Sequence, residues 1–293
     1  MNLARKIIMP TKKPKSIKTK KALAEYLGIA RSSLYYQPKR DSIDLKLKKT
    51  IEEVMSKYPS YGHRRIALEL KMNRKKILRV MNKFNLKPYR RRAKKPIKTE
   101  DVNKPTSIYQ NLIKNIIPDR PNLIWAADFT YISFQDNFIY LATIVDLFTR
   151  EIVGFAVSQT HDRFMCLDAL NMAIMRTNDL PKYHHSDQGR EYDSIEYLER
   201  LDKNRILISM NAKASPWENP FQESFYSQFK LDLGEPNRFD SLGELIEAIY
   251  QTIHDYNTTR IHTSLKMSPA QFREQFNKQI IKNTNLIYAD NRV

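Results

Sequence analysis

Three carboxylates in this 293-residue chain stand in settings that suit chemistry: Asp128 in IWAADFTYISF, Asp187 in HHSDQGREY and Glu223 in NPFQESFYSQFK. Asp128 lies among apolar neighbours, between Trp125 and Tyr131, where an ionised acid is costly unless something charged binds it. A single cysteine, Cys166, excludes an intrachain disulfide and a cysteine-cluster zinc site. With no dominant histidine pattern either, three carboxylates suit a hard, oxygen-preferring ion, Mg2+ or Mn2+. Two such ions about 3.5–4 Å apart activate an attacking oxygen and stabilise the leaving one in an in-line phosphoryl displacement. Taken singly, Asp128 also fits a paired buried acid, Asp187 a turn residue and Glu223 a partner of a helix dipole. Asp146 is the rival carboxylate; it ends a strand and alternatively bonds Arg150 at the turn.

The elements that must gather these acids are legible in the hydrophobic periodicity. From residue 123, three strand-like runs, LIWAADFTYISF, NFIYLATIVDLF and REIVGFAVSQ, are separated by Gln135-Asp136 and Thr149-Arg150. A helix is predicted at about 163–177, a short strand at 182–185, a helix at 194–203 and a short strand at 205–209. That order predicts an α/β, ribonuclease-H-like core, a mixed five-stranded sheet flanked by helices on both faces. Glu223 falls just inside a further helix, with Asn219 as N-cap, Pro220 at the first helical position and Gln222 as capping-box partner. In such a core the ends of adjacent central strands join Asp128 to Asp187, and the helix lays Glu223 beside them. Lys230, seven residues along the same helical face, is assigned a phosphate contact. Trp217 either stacks on an unpaired base at the cut or is an ordinary buried tryptophan. Arg260 and His262 come after a helix that begins near Asp240 and either clamp phosphate or support the fold. His185 either orients a ligand or is a satisfied core histidine.

The net charge of +18 is unevenly spread. Residues 1–120 hold 33 Lys and Arg against 9 Asp and Glu, whereas residues 121–293 hold 17 against 23, so the halves carry +24 and −6. This asymmetry predicts a nucleic-acid-binding N-terminal half joined to a domain with other work. Residues 21–36 carry a helix-turn-helix pattern: Ala24 permits close helix approach, Gly28 supplies the turn and Leu34 anchors the second helix. Arg31, Ser32, Ser33 and Tyr36 would then face a DNA groove. Residues 43–58 space Ile43, Leu47, Ile51 and Val54 as a helix ended by Pro59. A second helical pair, 61–70 and 73–86, puts Ile66, Leu68, Leu70, Ile77, Val80 and Met81 inside and leaves Arg64, Arg65, Arg74, Lys75 and Lys76 for phosphates. Arg90, Arg91, Arg92, Lys94 and Lys95 read as a linker or groove-tracking arm. The expected organisation is a basic tail at 1–20, a helical DNA-binding region at 21–89, a basic linker at 90–120, a catalytic core with C-terminal helices at 121–279 and a tail at 280–293.

Other classes fall away on the same grounds. The longest apolar run, Ile139 to Val145, is far short of the roughly 20 residues of a membrane span, and the basic N-terminus has no apolar signal segment. None of the six glycines sits in a phosphate-binding nucleotide loop, so a nucleotide-powered motor is excluded. A cytoplasmic setting without membrane attachment is expected.

Asp187 and Glu223 are separated by 35 residues, and the strings WAADFTYI, HHSDQGREY, NPFQESFYSQFK, IVDLFTREIVGFAV, YNTTRIHTSLKMSPAQF and YGHRRI stand in family order. Over nearly all of residues 23–273 the chain resembles the insertion-sequence-three family of bacterial transposases, whose core is similar to retroviral integrases. One departure is Glu218, in WENP, where that family has aspartate. The resemblance implies a nucleoid-associated bacterial enzyme that binds the terminal inverted repeats of its element and target DNA. It further implies two divalent ions on an Asp128, Asp187, Glu223 triad, strand cleavage and strand transfer, self-assembly on DNA, and an upstream-frame partner protein in members made by frameshifting. No sustained heptads occur here, so the chain reads as a second-frame or self-contained form. The alternatives are a domesticated DNA-binding protein without chemistry and a ribonuclease-H-like nuclease that cuts without joining.

Overall fold

The computed structural model describes residues 19–35, 39–90, 109–177, 179–211 and 220–290. The chain divides into two compact units, 1–50 and 51–293. This division falls inside one helix rather than in the basic stretch 90–120, because the helical pair before that stretch packs with the sheet-bearing unit.

In the first unit, α1 (Lys20–Tyr26) is capped by Thr19, whose hydroxyl accepts the Ala22 N–H. Ala24 is buried, and Gly28 takes the left-handed conformation, φ +61°, that a chain reversal requires there. The next element is a 3-10 helix, Arg31–Tyr35, and not the second α-helix that the helix-turn-helix pattern predicts. These five described residues take the tighter 3-10 geometry and make under two turns, and Tyr36 lies outside the described residues. Leu34 is only half-buried. Helix α2 (Lys39–Lys57) buries Leu47 in its first-unit part and Ile51 where the second unit begins, while Ile43, at the start of the helical spacing, is half exposed.

The second unit continues with α3 (His63–Glu69) and α4 (Arg74–Lys83), a helical pair that buries Ile66, Ile77, Val80 and Met81. Leu68, expected inside, is exposed, since the pair buries one stripe only. Asn73 caps α4 through its side-chain oxygen.

The sheet is built from β1 (Ile124–Phe134), β2 (Asn137–Asp146), β3 (Ile152–Ser158), β4 (Tyr183–Ser186) and β5 (Leu207–Met210), ordered β3-β2-β1-β4-β5. The first three strands form an antiparallel meander, and β1 pairs β4, and β4 pairs β5, in parallel. Period-2 burial sends alternate β1 residues to opposite faces. On one face Trp125, Ala127 and Ile144 pack on α5 (Arg163–Arg176) and α6 (Ile195–Lys203). On the other, Ile132, Phe134 and Leu141 meet α7 (Pro220–Leu233) and α8 (Leu242–Thr258). A final helix, α9, spans Pro269–Asp290. Gly154 on β3 lets α5 come close: an added Cβ would stand 2.7 Å from the Ala173 Cβ. The ribonuclease-H-like expectation therefore holds in strand order, direction and helix placement. No described helix is long and apolar enough to cross a membrane.

Candidate active site

The last parallel pair between β1 and β4 is Ala126 with His185, and Asp128 and Asp187 each lie two residues beyond it. The two acids therefore stand at corresponding positions of neighbouring strands, where β4 has ended at Ser186 while β1 continues with β2 alone. Helix α7 crosses at this point. Gln222, fully buried, donates its amide to the Ala126 carbonyl at 2.6 Å and accepts from Thr143, the residue opposite Asp128 on β2. The Tyr226 hydroxyl donates to the Asp128 carbonyl at 2.6 Å and lies 2.8 Å from the Thr143 hydroxyl. Glu223 sits between these two anchors in sequence and is exposed. Gln222 thus acts as a sheet anchor, not as a capping-box residue, because its amide is drawn into the buried sheet; Asn219 lies outside the described residues.

Asp128 accepts the Phe129 N–H at 2.8 Å, yet burial, the charge of Asp187 and that of Glu223 push its carboxyl up to about 7. Asp187 Oδ1 accepts the Gly189 N–H at 2.9 Å. A Cβ at Gly189 would stand 2.9 Å from that oxygen and 2.8 Å from Glu191 Oε2, so only glycine fits without moving the acid. Glu191 is paired with His161 at 3.1 Å, and the neighbouring Gln188 amide donates to the Asn211 carbonyl at 2.8 Å. Among the described residues no three His, Cys, Asp or Glu side chains close into a ready metal cage. The donor chemistry nevertheless fits a divalent cation: all three acids offer hard oxygens, and the repulsion raised on Asp128 is what a bound cation relieves.

Asp146, the rival acid, is structural. Its carboxylate accepts from the Asn122 and Phe148 N–H groups and the Thr149 hydroxyl, and its pairing with Arg150 is through the backbone. His185 is a satisfied core histidine, its Nδ1 lying 2.9 Å from the Ser209 hydroxyl.

The expected DNA contacts divide. Arg31, Ser32, Ser33, Arg64, Arg74, Lys75 and Arg90 are exposed, and Lys76 is half-buried. Lys230 is half-buried, 5.0 Å from the Tyr131 ring centroid. Arg260 takes the second of its two readings, as a support of the fold and not an exposed phosphate clamp: it is 3% exposed, ion-paired with Asp232, and donates to Gln228 at 2.7 Å and Ser60 at 3.2 Å. Arg65 is likewise turned inward, donating to Thr263 at 2.9 Å and Gln228 at 3.4 Å. Each guanidinium finds protein acceptors on neighbouring elements, which outcompete water. His262 is half-buried, and burial with the charges of Arg150, Arg260 and Arg65 lowers it to about 4. Tyr36, Arg91, Arg92, Lys94, Lys95 and Trp217 lie outside the described residues.

Residues whose part in the site sequence reasoning missed are the supports: Gln222, Tyr226, Thr143 and Gly189. The signal for the first two was available as an i, i+4 polar pair within an otherwise aromatic helix face.

An integrase core domain model matches residues 118–216, and a second integrase core domain model matches residues 204–269. The chain is 30% identical over 273 residues to the insertion element IS600 uncharacterized 31 kDa protein of Shigella sonnei, covering 87% of this chain and 99% of that one. It is 28% identical over 280 residues to the transposase for insertion sequence element IS629 of Shigella sonnei, covering 90% and 94%. A chain of the simian T-cell lymphotropic virus intasome, solved with the PP2A regulatory subunit B56 gamma, aligns over 76% of this chain and 74% of its own at 16% identity and a TM-score of 0.48.

Proposed function

The chain belongs to the insertion-sequence-three family of transposases, and from that premise we propose that its core cuts and rejoins DNA strands at the ends of a mobile element through Asp128, Asp187 and Glu223. The observation that carries this reading is the fork of β1 and β4, where Asp128 and Asp187 each lie two residues beyond the last parallel pair, with burial first and then the charges of Asp187 and Glu223 raising the Asp128 carboxyl. Structural carboxylates are arranged to avoid one another; acids kept together against repulsion await a cation. The three would hold Mg2+ or Mn2+, in a two-ion arrangement, which when bound supplies charge stabilisation to the attacking and leaving oxygens.

In the proposed reaction, water attacks a phosphodiester, the bond from phosphorus to the 3′ oxygen breaks, and the proton leaves to solvent. The freed 3′-hydroxyl then attacks a phosphodiester of the target, joining to its phosphorus as the target's own 3′ oxygen departs. The first step consumes one water, the second exchanges one phosphate ester for another, and neither needs a covalent enzyme intermediate. Gln222 and Tyr226 position the helix of Glu223 on the strand of Asp128, and Gly189 leaves Asp187 room to turn toward it.

The exposed basic residues Arg31 of the first unit and Arg64, Arg74, Lys75 and Arg90 of the second would supply phosphate contacts that set affinity and register, with Ser32, Ser33, Lys76 and the basic residues Arg91, Arg92, Lys94 and Lys95 as further candidates. The roles proposed for the regions are DNA binding over 21–89, linkage over 90–120 and catalysis over 121–279. Holding two element ends calls for at least two copies of the chain, and an upstream-frame protein is a candidate partner.

The test is strand cleavage and strand transfer by the purified full chain on duplex DNA carrying the element's terminal repeats, in Mg2+ or Mn2+. Glu223→Gln is expected to abolish both while DNA binding persists; an active variant refutes the triad. Cleavage without joining identifies a nuclease, and tight end binding without cleavage identifies a DNA-binding protein.

A further inference from the structure

Beside α7, and apart from the three acids, lies a cavity of about 330 Å³ lined by Arg65, Arg150, Phe221, Ser224, Arg260 and His262 among others, with no acidic residue in its wall among the described residues. Helical spacing explains how one helix serves both places. Phe221, Ser224, Phe225 and Gln228 form the stripe facing the cavity, Gln222, Tyr226 and Phe229 the stripe anchored on the sheet, and Glu223 and Lys230 lie beyond the sheet stripe, on the side of the helix away from the cavity.

The three arginines differ in what they are free to do. Arg260 and Arg65 are engaged with Asp232, Gln228, Ser60 and Thr263, so they contribute fixed positive charge to the wall. Arg150 is the reverse. It comes after the buried Asp146 turn with φ +65°, and its guanidinium lies 3.7 Å from the Phe221 ring centroid. Its Nη1 is buried without a hydrogen-bond partner, and so is Nδ1 of His262. A buried polar atom left unmatched costs on the order of 1–3 kcal/mol; the Arg150 guanidinium can only donate, and His262 Nδ1 donates when it carries the ring proton, so in this cationic wall a polar anion completes both.

We propose that this cavity seats a backbone phosphate of the DNA strand, with Arg150 and His262 as its donors and the Phe221 face against the adjoining sugar or base. The cavity is larger than a lone phosphate, and an aromatic face beside a guanidinium is the chemistry that holds a nucleotide unit rather than an inorganic ion. The cavity residues of α7 lie within five positions of Glu223 along the helix but on another side of it, so a phosphate fixed there would set the register of a strand that passes around α7 to the acids. This assignment rests on the reading of the chain as a DNA-processing enzyme.

The experiment compares the full-length wild type with Arg150→Gln on random-sequence duplex DNA, measuring affinity against salt concentration. Loss of one phosphate contact is expected to lower the magnitude of the log–log slope by about 1 and to weaken binding equally across sequences. In a second arm, inorganic phosphate raises the melting temperature of wild type and not of Arg150→Gln, and the rise disappears when DNA saturates the protein. Should Arg150→Gln fail to fold, His262→Gln is read in the same two assays. An unchanged slope in a folded variant overturns the seat, as does a phosphate-induced rise that persists with DNA bound, which marks a site for a free anion. Wild type that binds no DNA at all refutes the proposed function itself, a result distinct from either.

Discussion

The Tyr226 hydroxyl donates to the main-chain carbonyl of Asp128 at 2.6 Å, fastening the helix that carries Glu223 to the strand that carries the first acid. The same hydroxyl lies 2.8 Å from that of Thr143, which also bonds the buried Gln222 side chain. Position of the third acid is therefore set by side chains one residue before it and three after it.

Tyr226→Phe keeps the ring in its packing and removes that fastening. The expected loss of stability is about 1 kcal/mol, typical of a single hydrogen bond. Strand cleavage is expected to fall by at least about tenfold, since a shift of about 1 Å in a catalytic group costs up to about a hundredfold. Denaturant unfolding and a cleavage assay on the same preparation separate the two; equal activity would show that packing alone positions α7.

Asp128→Asn is expected to trade activity for stability. The folded-state carboxyl is raised from 3.8 to about 7, so ionisation costs the fold nothing below about pH 4, progressively more as pH rises to about 7, and a constant amount above. Removing the charge is expected to raise the melting temperature of the metal-free protein at pH 8, by an energy of order 2–4 kcal/mol, and to abolish cleavage. A melting scan in chelator decides it: a variant less stable than wild type at pH 8 contradicts repulsion at the fork.

Gly189→Ala is expected to damage chemistry more than folding. Its Cβ meets Asp187 Oδ1 and Glu191 Oε2, which must move, while no backbone or core group is struck within 3 Å. The readout is the metal concentration needed for half-maximal cleavage, expected to rise several-fold with the melting temperature changed by only a few degrees.

His184 makes the fold acid-sensitive. Burial holds it down to about 3, and its Nε2 lies 2.9 Å from the Tyr197 hydroxyl. A histidine whose folded pKa is depressed contributes stability that is complete above its unfolded value, near 6.5, and is lost as pH falls from there toward 3. Asp128 works in the opposite direction between about pH 4 and 7, so the measurement is the difference between wild type and His184→Gln. Between about pH 8 and pH 4.5 wild type is expected to lose about 2–3 kcal/mol more than the variant; identical pH profiles would rule the histidine out.

Strand order and the elements that carry all three acids were legible because each rests on local pattern: β-rich runs, a turn after Asp187 and a helix start before Glu223. The strands lie within two residues of their expected bounds for the same reason. What local pattern does not carry is partner choice. Arg65 reads as a phosphate ligand because a basic residue in a basic neighbourhood looks solvated, and Arg260 is left between phosphate clamp and fold support, whereas Gln228, 163 positions from Arg65, and Asp232, 28 from Arg260, claim them. The second helix of the helix-turn-helix pattern failed differently: three matched positions test for a bend between helices and say nothing about the length of the element after Gly28.

The fork at which β4 stops and β1 runs on with β2 has an evolutionary consequence. Because the acids are placed by strand topology and not by long loops, insertions or exchanges elsewhere in the chain leave the fork intact. Such an arrangement would let the proposed chemistry be kept while the regions proposed to contact DNA are exchanged.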